Sequence, residues 1–207
     1  MSEFSTPTPL IAWQRLRTGN ENMVINSRGP RRGSADEHPI AAVFRCADAG
    51  LASEVVFGQS TGSLVEVSTW GHVVDAGVIA SLEYALVTLE VPLIVVLGHH
   101  GCGAMHAAMR AWNDADLPEG AARTMVEQAM GSIVRRGAHA DSPETVGAAH
   151  IVETGLGLLE RSPVIARRID SGLCGIVSAT TGADGRLRAY ATVGAVGEVS
   201  DSLLECV

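Results

Sequence analysis

Three side chains have the types and the spacing for metal chemistry: Cys46, His99 and Cys102. Two thiolates and an imidazole suit a borderline-soft ion with no geometric demand of its own, and zinc takes such a Cys₂His set readily. Three protein ligands leave a fourth tetrahedral position, the arrangement of a catalytic rather than a structural site. His-x-x-Cys is weak evidence alone, and so is Cys46-Ala-Asp48. Together they say more, because each signal ends a buried apolar run. The alternative is two buried thiols and a satisfied core histidine.

The elements that must carry these residues are legible. Leu93-Ile-Val-Val-Leu97 is an unbroken aliphatic run, as expected of a strand covered on both faces of a parallel sheet, and it breaks at Gly98 just before His99. Ile40 to Arg45 reads as a second such strand, ending at Cys46. Pro9–Met23 carries Leu10, Trp13 and Leu16 at near-helical spacing. Further strands are expected at 63–68, 174–181 and 187–193, the last two joined by the turn sequence Gly182-Ala-Asp-Gly-Arg186. Helices are expected at 52–57, 75–90 with Asp75 as N-cap, 103–112, 121–137, 143–161 and 163–170. The order β-α-β-α-β-ααα-β-β implies an α/β fold: a mostly parallel sheet of about four strands, one antiparallel edge strand, and helices on its faces.

Composition narrows the function classes. At 207 residues the chain suits one domain, 1–207, with 26–39 a solvated, basic connector. Aromatic content is only 4% while glycine reaches 23, which favours a small-residue core with helices close to a sheet. A net charge of −8 argues against nucleic acid or an anionic membrane as partner. No apolar run approaches spanning length and no export signal is legible, so the expected location is the cytoplasm. Cys46, Cys102, Cys174 and Cys206 are then better read as thiols or ligands than as disulfides.

At these residues the sequence resembles the β-class carbonic anhydrases. The resemblance rests on Cys46-Ala-Asp48 after a strand, Gly71-His-Val-Val-Asp75 opening a helix, Ser81-Leu-Glu-Tyr84 within it, and Val91-Pro-Leu-Ile-Val-Val-Leu-Gly-His99-His-Gly-Cys102-Gly-Ala104. It runs from about Ala12 to the hairpin near Val193. It implies Zn²⁺ on Cys46, His99 and Cys102, and reversible hydration of carbon dioxide to bicarbonate by zinc-bound hydroxide. Carbonic anhydrase is itself the standard instance of zinc bringing the pKa of a bound water to about 7. The resemblance further implies a homodimer or dimer of dimers, with residues 1–38 laid over the neighbouring subunit.

This chain departs from the family pattern at one place that matters. The family motif is Cys-x-Asp-Ser-Arg, in which the Arg holds the Asp off the metal; here the last two positions are Ala49 and Gly50. A carboxylate with no competing guanidinium is expected to swing in, so that Asp48 becomes the fourth ligand and closes the site. Arg45 is not expected to substitute, since neighbours on a strand point to opposite faces; Arg31 and Arg32 of the connector are better placed. Trp70, Gly71 and Gly103 are expected to border the substrate pocket. Gly58 stands where an Asp is common, and no counterpart of the usual substrate-reaching Gln is found. Two readings follow: a weak or closed-site carbonate dehydratase, or a non-catalytic zinc homologue serving as a structural, partner-binding or anion-sensing dimer.

Overall fold

A computed structural model describes residues 7–26 and 38–197. Arg31, Arg32 and Cys206 lie outside the described residues. A five-stranded sheet runs in the order β2-β1-β3-β4-β5. Its strands are β1 (Ala41–Cys46), β2 (Leu64–Thr69), β3 (Leu93–His99), β4 (Gly175–Thr181) and β5 (Leu187–Gly194). The first four are mutually parallel and β5 returns antiparallel along one edge. The apolar runs expected to be covered on both faces are indeed the central strands: all six residues of β1 are buried, as are the first six of β3. The alternating strand β2 is an edge, where only one face needs covering.

Helices α1 (Pro9–Asn26) and α2 (Ser53–Val56) lie over one face, where Trp13, Leu16 and Phe57 pack on Val43, Leu93 and Val95. Over the other face lie α3 (Ala76–Val87), α6 (Pro143–Arg161) and α7 (Pro163–Asp170); Leu82, Leu86, Ile151 and Leu158 meet Phe44, Ile94 and Val96. The α3 helix starts as its sequence requires, with the Asp75 carboxylate accepting from the Val78 N–H at 2.9 Å. It ends at Val87, short of the expected Glu90, because Glu90 adopts a left-handed φ of 53° and the Val91 N–H turns back to the Ala85 carbonyl.

A third cluster joins α4 (Gly103–Asp114), α5 (Ala122–Arg136) and α6 beneath the carboxyl ends of the strands, with Met105, Met125, Ala129 and Val146 packed around Cys46 and Cys102. The α1 helix buries Trp13, Leu16 and Asn20 within its own chain, and the Asn20 amide ties α2 to the β4–β5 hairpin through the Val56 and Gly185 carbonyls, both at 2.9 Å. Leu10, Ile11 and Ile25 remain exposed. Not foreseen were a 3₁₀ turn at Trp70–His72 and a bulge in the β4–β5 ladder at Ser178/Ala179.

Candidate metal centre

Parallel neighbours end side by side. The β1–β3 register pairs Arg45 with Leu97, so Cys46 leaves its strand next to Gly98, and His99 follows. The chain then turns through Gly101 (φ 67°) and opens α4 with Cys102 as the residue before its first turn. Asp48 comes from the loop after β1. One ligand atom from each of Cys46, Asp48, His99 and Cys102 lies within 4.8 Å of all the others. The two sulfurs are 3.8 Å apart. That is also the edge, about 3.8 Å, of a tetrahedron with Zn–S bonds of about 2.3 Å.

The surrounding bonds suit this use. His99 Nδ1 lies 3.0 Å from the His100 carbonyl, which can only accept, so Nδ1 carries hydrogen and Nε2 faces the cluster. His99 Nε2 and Asp48 Oδ1 are 2.8 Å apart, a contact that shares a proton when no cation is there to replace it. The hydrogen bond to Cys46 draws the His99 imidazole above its ordinary pKa despite the opposing effect of burial, with Asp48 adding to the rise. For Asp48, burial pushes upward, but hydrogen bonds with Cys46, His99 and the Gly103 N–H outweigh it and hold the carboxyl below its usual range. Hydrogen bonding with Cys102, then burial, raises the Cys46 thiol, while the same bond with Cys46 lowers Cys102 against the opposing effect of burial. A cluster that concentrates lone pairs around a shared proton is one that a divalent cation fits.

The Asp48 carboxylate is turned into the shell. Its Oδ2 accepts from the Gly103 N–H at 2.9 Å, at the start of α4 where a helix favours negative charge. A Cβ on Gly103 would sit 3.1 Å from that oxygen. Gly50 has nothing within 4 Å of where its Cβ would be. Arg45 points elsewhere: its guanidinium meets Glu66 at 3.2 Å and donates to the Ala49 carbonyl. Glu66 also accepts from Ser53, from N–H at 3.0 Å and from Oγ at 2.6 Å.

Two cavities flank His99. One, of about 340 Å³, runs between α6 and the hairpin past Met105, His150 and Tyr190. The other, of about 630 Å³, lies between the Asp48 loop, the end of α1 and the hairpin turn, and Ala49 and Gly50 line it. Gly71 sits behind Cys46, to whose sulfur its N–H donates at 3.0 Å. Trp70 is half-buried against the third cluster and lines neither cavity. His100 pairs with Glu144 at 2.9 Å on the surface. His72 and His150, which showed no partner pattern in the sequence, are buried beside the cluster. Their signal was too slight to find them: a histidine after Gly71, and one on the apolar stripe of α6.

The carbonic anhydrase family profile matches residues 41–185, the span that holds all four ligand atoms and the sheet from β1 through β4. The chain belongs to the β-class carbonic anhydrase family. Among relatives of this carbonic anhydrase-family enzyme, carbonic anhydrase 2 of Mycobacterium tuberculosis is 40% identical over 201 residues, covering 92% of this chain and 97% of that protein. The carbonic anhydrase of Mycolicibacterium smegmatis is 39% identical over 201 residues, with 92% and 98% covered. The fold is that of the Coccomyxa β-carbonic anhydrase in complex with acetazolamide, with a TM-score of 0.66 at 18% identity over 89% of this chain and 86% of that one. It is equally that of a tetrameric β-carbonic anhydrase from Sordaria macrospora, with a TM-score of 0.65 at 20% identity over 76% and 84%.

Proposed function

We propose that this protein is a zinc enzyme interconverting carbon dioxide and bicarbonate, and that it turns over slowly because Asp48 takes the fourth position of its own metal site. The observation that carries the reading is the carboxylate lying within 4.8 Å of both sulfurs and the imidazole, with no guanidinium at position 50 to withdraw it. Zinc, when bound there, supplies the Lewis acidity that makes water a nucleophile at neutral pH. Cys46, Cys102 and His99 would hold the ion, and the His100 carbonyl would keep His99 in the tautomer that presents Nε2. Asp48 and a reacting water compete for one place.

Turnover in this reading requires the carboxylate to leave, and the Gly103 N–H holds it where it is. Once Asp48 withdraws, that same N–H is the donor within reach of a substrate oxygen. Gly71 backs the proposed site from behind Cys46, with its N–H on the sulfur, while Trp70 stands outside both cavities. The same reading takes the chain as a cytoplasmic homodimer or dimer of dimers, in which Leu10, Ile11 and Ile25 are the apolar surface of α1 left for a second copy. Among the described residues no helix is long and apolar enough to cross a membrane.

The test is stopped-flow carbon dioxide hydration on protein with one zinc per chain, beside the double substitution Ala49→Ser, Gly50→Arg. The open surroundings of Gly50 leave room for the new side chain. The double substitution is expected to raise kcat by at least about tenfold, equivalent to about 1.4 kcal/mol of barrier. Fast turnover in the unaltered chain would overturn the closed-site reading. Silence in both would favour the second reading, a non-catalytic zinc homologue acting as a structural, partner-binding or anion-sensing dimer, for which Ala49 and Gly50 already speak.

A further inference from the structure

The turn at Trp70–His72 contains two consecutive left-handed residues, Gly71 at φ 64° and His72 at φ 56°. Glycine is required at the first: a Cβ there would lie 2.2 Å from Met125 Cγ. His72 has no such freedom, and a non-glycine residue in this region costs about 1–2 kcal/mol. Such a conformation persists only where the surroundings over-determine it.

Two buried imidazoles supply that restraint. His72 is 2% exposed, and its Nε2 lies 3.0 Å from the Leu97 carbonyl on β3. His150, 3% exposed, reaches across from α6 to place Nε2 2.8 Å from the Gly71 carbonyl. A carbonyl can only accept, so each Nε2 carries the hydrogen. His150 Nδ1 is then an acceptor, and the donor beside it is the Ser132 hydroxyl on α5 at 2.9 Å, whose single hydrogen serves this nitrogen in preference to the more distant Gln128 carbonyl at 3.1 Å. On its other side Gly71 aims its N–H at Cys46 Sγ, 3.0 Å away. A continuous set of contacts therefore runs from Ser132 through His150 and Gly71 to the sulfur.

We propose that His150 and His72 are positioning residues of the metal centre: they clamp the left-handed turn so that the Gly71 N–H donates to the sulfur of Cys46. The inference rests on the reading of Cys46 as a metal ligand. An N–H donor draws electron density from a thiolate and fixes its direction. Without the clamp the thiolate is more electron-rich, which moves its charge-transfer absorption, but it is also less protected against protonation and less constrained in direction, so that protons compete better with the metal. Outer contacts of this kind typically govern about 10–100-fold in metal affinity.

The full chain, loaded with zinc and separately with cobalt(II), tests this. His150→Leu is expected to weaken zinc about 10–100-fold in competition with a chromophoric chelator. It should also move the near-ultraviolet sulfur-to-cobalt charge-transfer absorption to longer wavelength. His150→Gln, whose amide can donate to the Gly71 carbonyl, should restore most of both. A His150→Leu protein with native circular dichroism, parental zinc affinity and parental absorption would overturn the proposal. If that variant does not fold, Ser132→Ala carries the same test: it keeps the imidazole but frees Nδ1, and a drop of about 2–10-fold is expected from one lost hydrogen bond. Unchanged affinity there would equally overturn the clamp. A parent chain that binds no zinc would instead sink the metal reading, so the two failures are distinct.

Discussion

Replacing Arg45 by Met should loosen the metal-site loop and destabilise the whole chain. Arg45 is 8% exposed between the fully buried Phe44 and Cys46. Its guanidinium bonds both Glu66 oxygens, at 3.2 and 3.3 Å, lies 3.4 Å from the Cys46 carbonyl and donates to the Ala49 carbonyl. It therefore ties both ends of the segment that carries Asp48 to strand β2. Breaking one side of a buried ion pair costs about 3–5 kcal/mol. The lower end applies, because the Glu66 side chain is 35% exposed and keeps both bonds from Ser53. About 3 kcal/mol, in a chain of this size, lowers Tm by about 6–12 °C. The assay is a thermal melt at neutral pH with zinc present, alongside the rate at which a chelator strips zinc from the folded protein. Stripping should accelerate, since Ala49 and Asp48 are no longer braced. A melt within about 2 °C of the parent, less than one kcal/mol for a domain this large, would refute the reasoning.

Three other perturbations are as direct. Gly71→Ala should cost about 2–4 kcal/mol in denaturant unfolding, from the left-handed φ together with overpacking against Met125. Gly50→Arg alone should leave stability in a thermal melt nearly unchanged, within about 0.5 kcal/mol as for ordinary surface changes, since nothing lies within 4 Å of its Cβ; a large loss would show that the loop is not open at this position. Burial, with the neighbouring His150, pushes His72 down to about 3 from an ordinary value of 6.5. The unfolded chain therefore binds the proton first, and the stability that neutral His72 contributes, complete above pH 6.5, declines as pH falls toward 3, by about 1.4 kcal/mol per pH unit within that window. Urea titrations between neutral pH and pH 5 measure the slope, and His72→Asn should make it shallower while leaving the part due to His150, which burial also holds below its ordinary value.

What could be read along the chain was what short-range physics decides. The apolar run 93–97 and the strand ending at Cys46 announce buried strands whatever surrounds them. The stretches 143–161 and 163–170 form the helices expected there, and the structure shows them starting at Pro143 and Pro163 with the Ser142 and Ser162 side chains accepting from the Thr145 and Ile165 N–H groups. The family motifs then pointed to Cys46, His99 and Cys102 as candidate ligands, because a site at the ends of parallel strands needs only the right residue after each strand, and the structure brings the three together with Asp48. Arg45 illustrates the limit. Strand alternation correctly sends it away from Asp48, yet nothing local says that Glu66, one strand over, is its partner, or that together they brace Ala49.

The sequence by itself therefore determined the α/β order, the central strands and which residues are candidates for a metal site, all of which depend on residue type and on neighbours within a few positions. Only the tertiary structure decided that Asp48 lies against His99 with its second oxygen on the Gly103 N–H. Only the tertiary structure, too, decided that His150 reaches Gly71 from 79 residues away to aim an N–H at Cys46. Those contacts depend on strand register and on how helices seat over the sheet, and side chains distant in the chain carry no local mark of where packing will bring them.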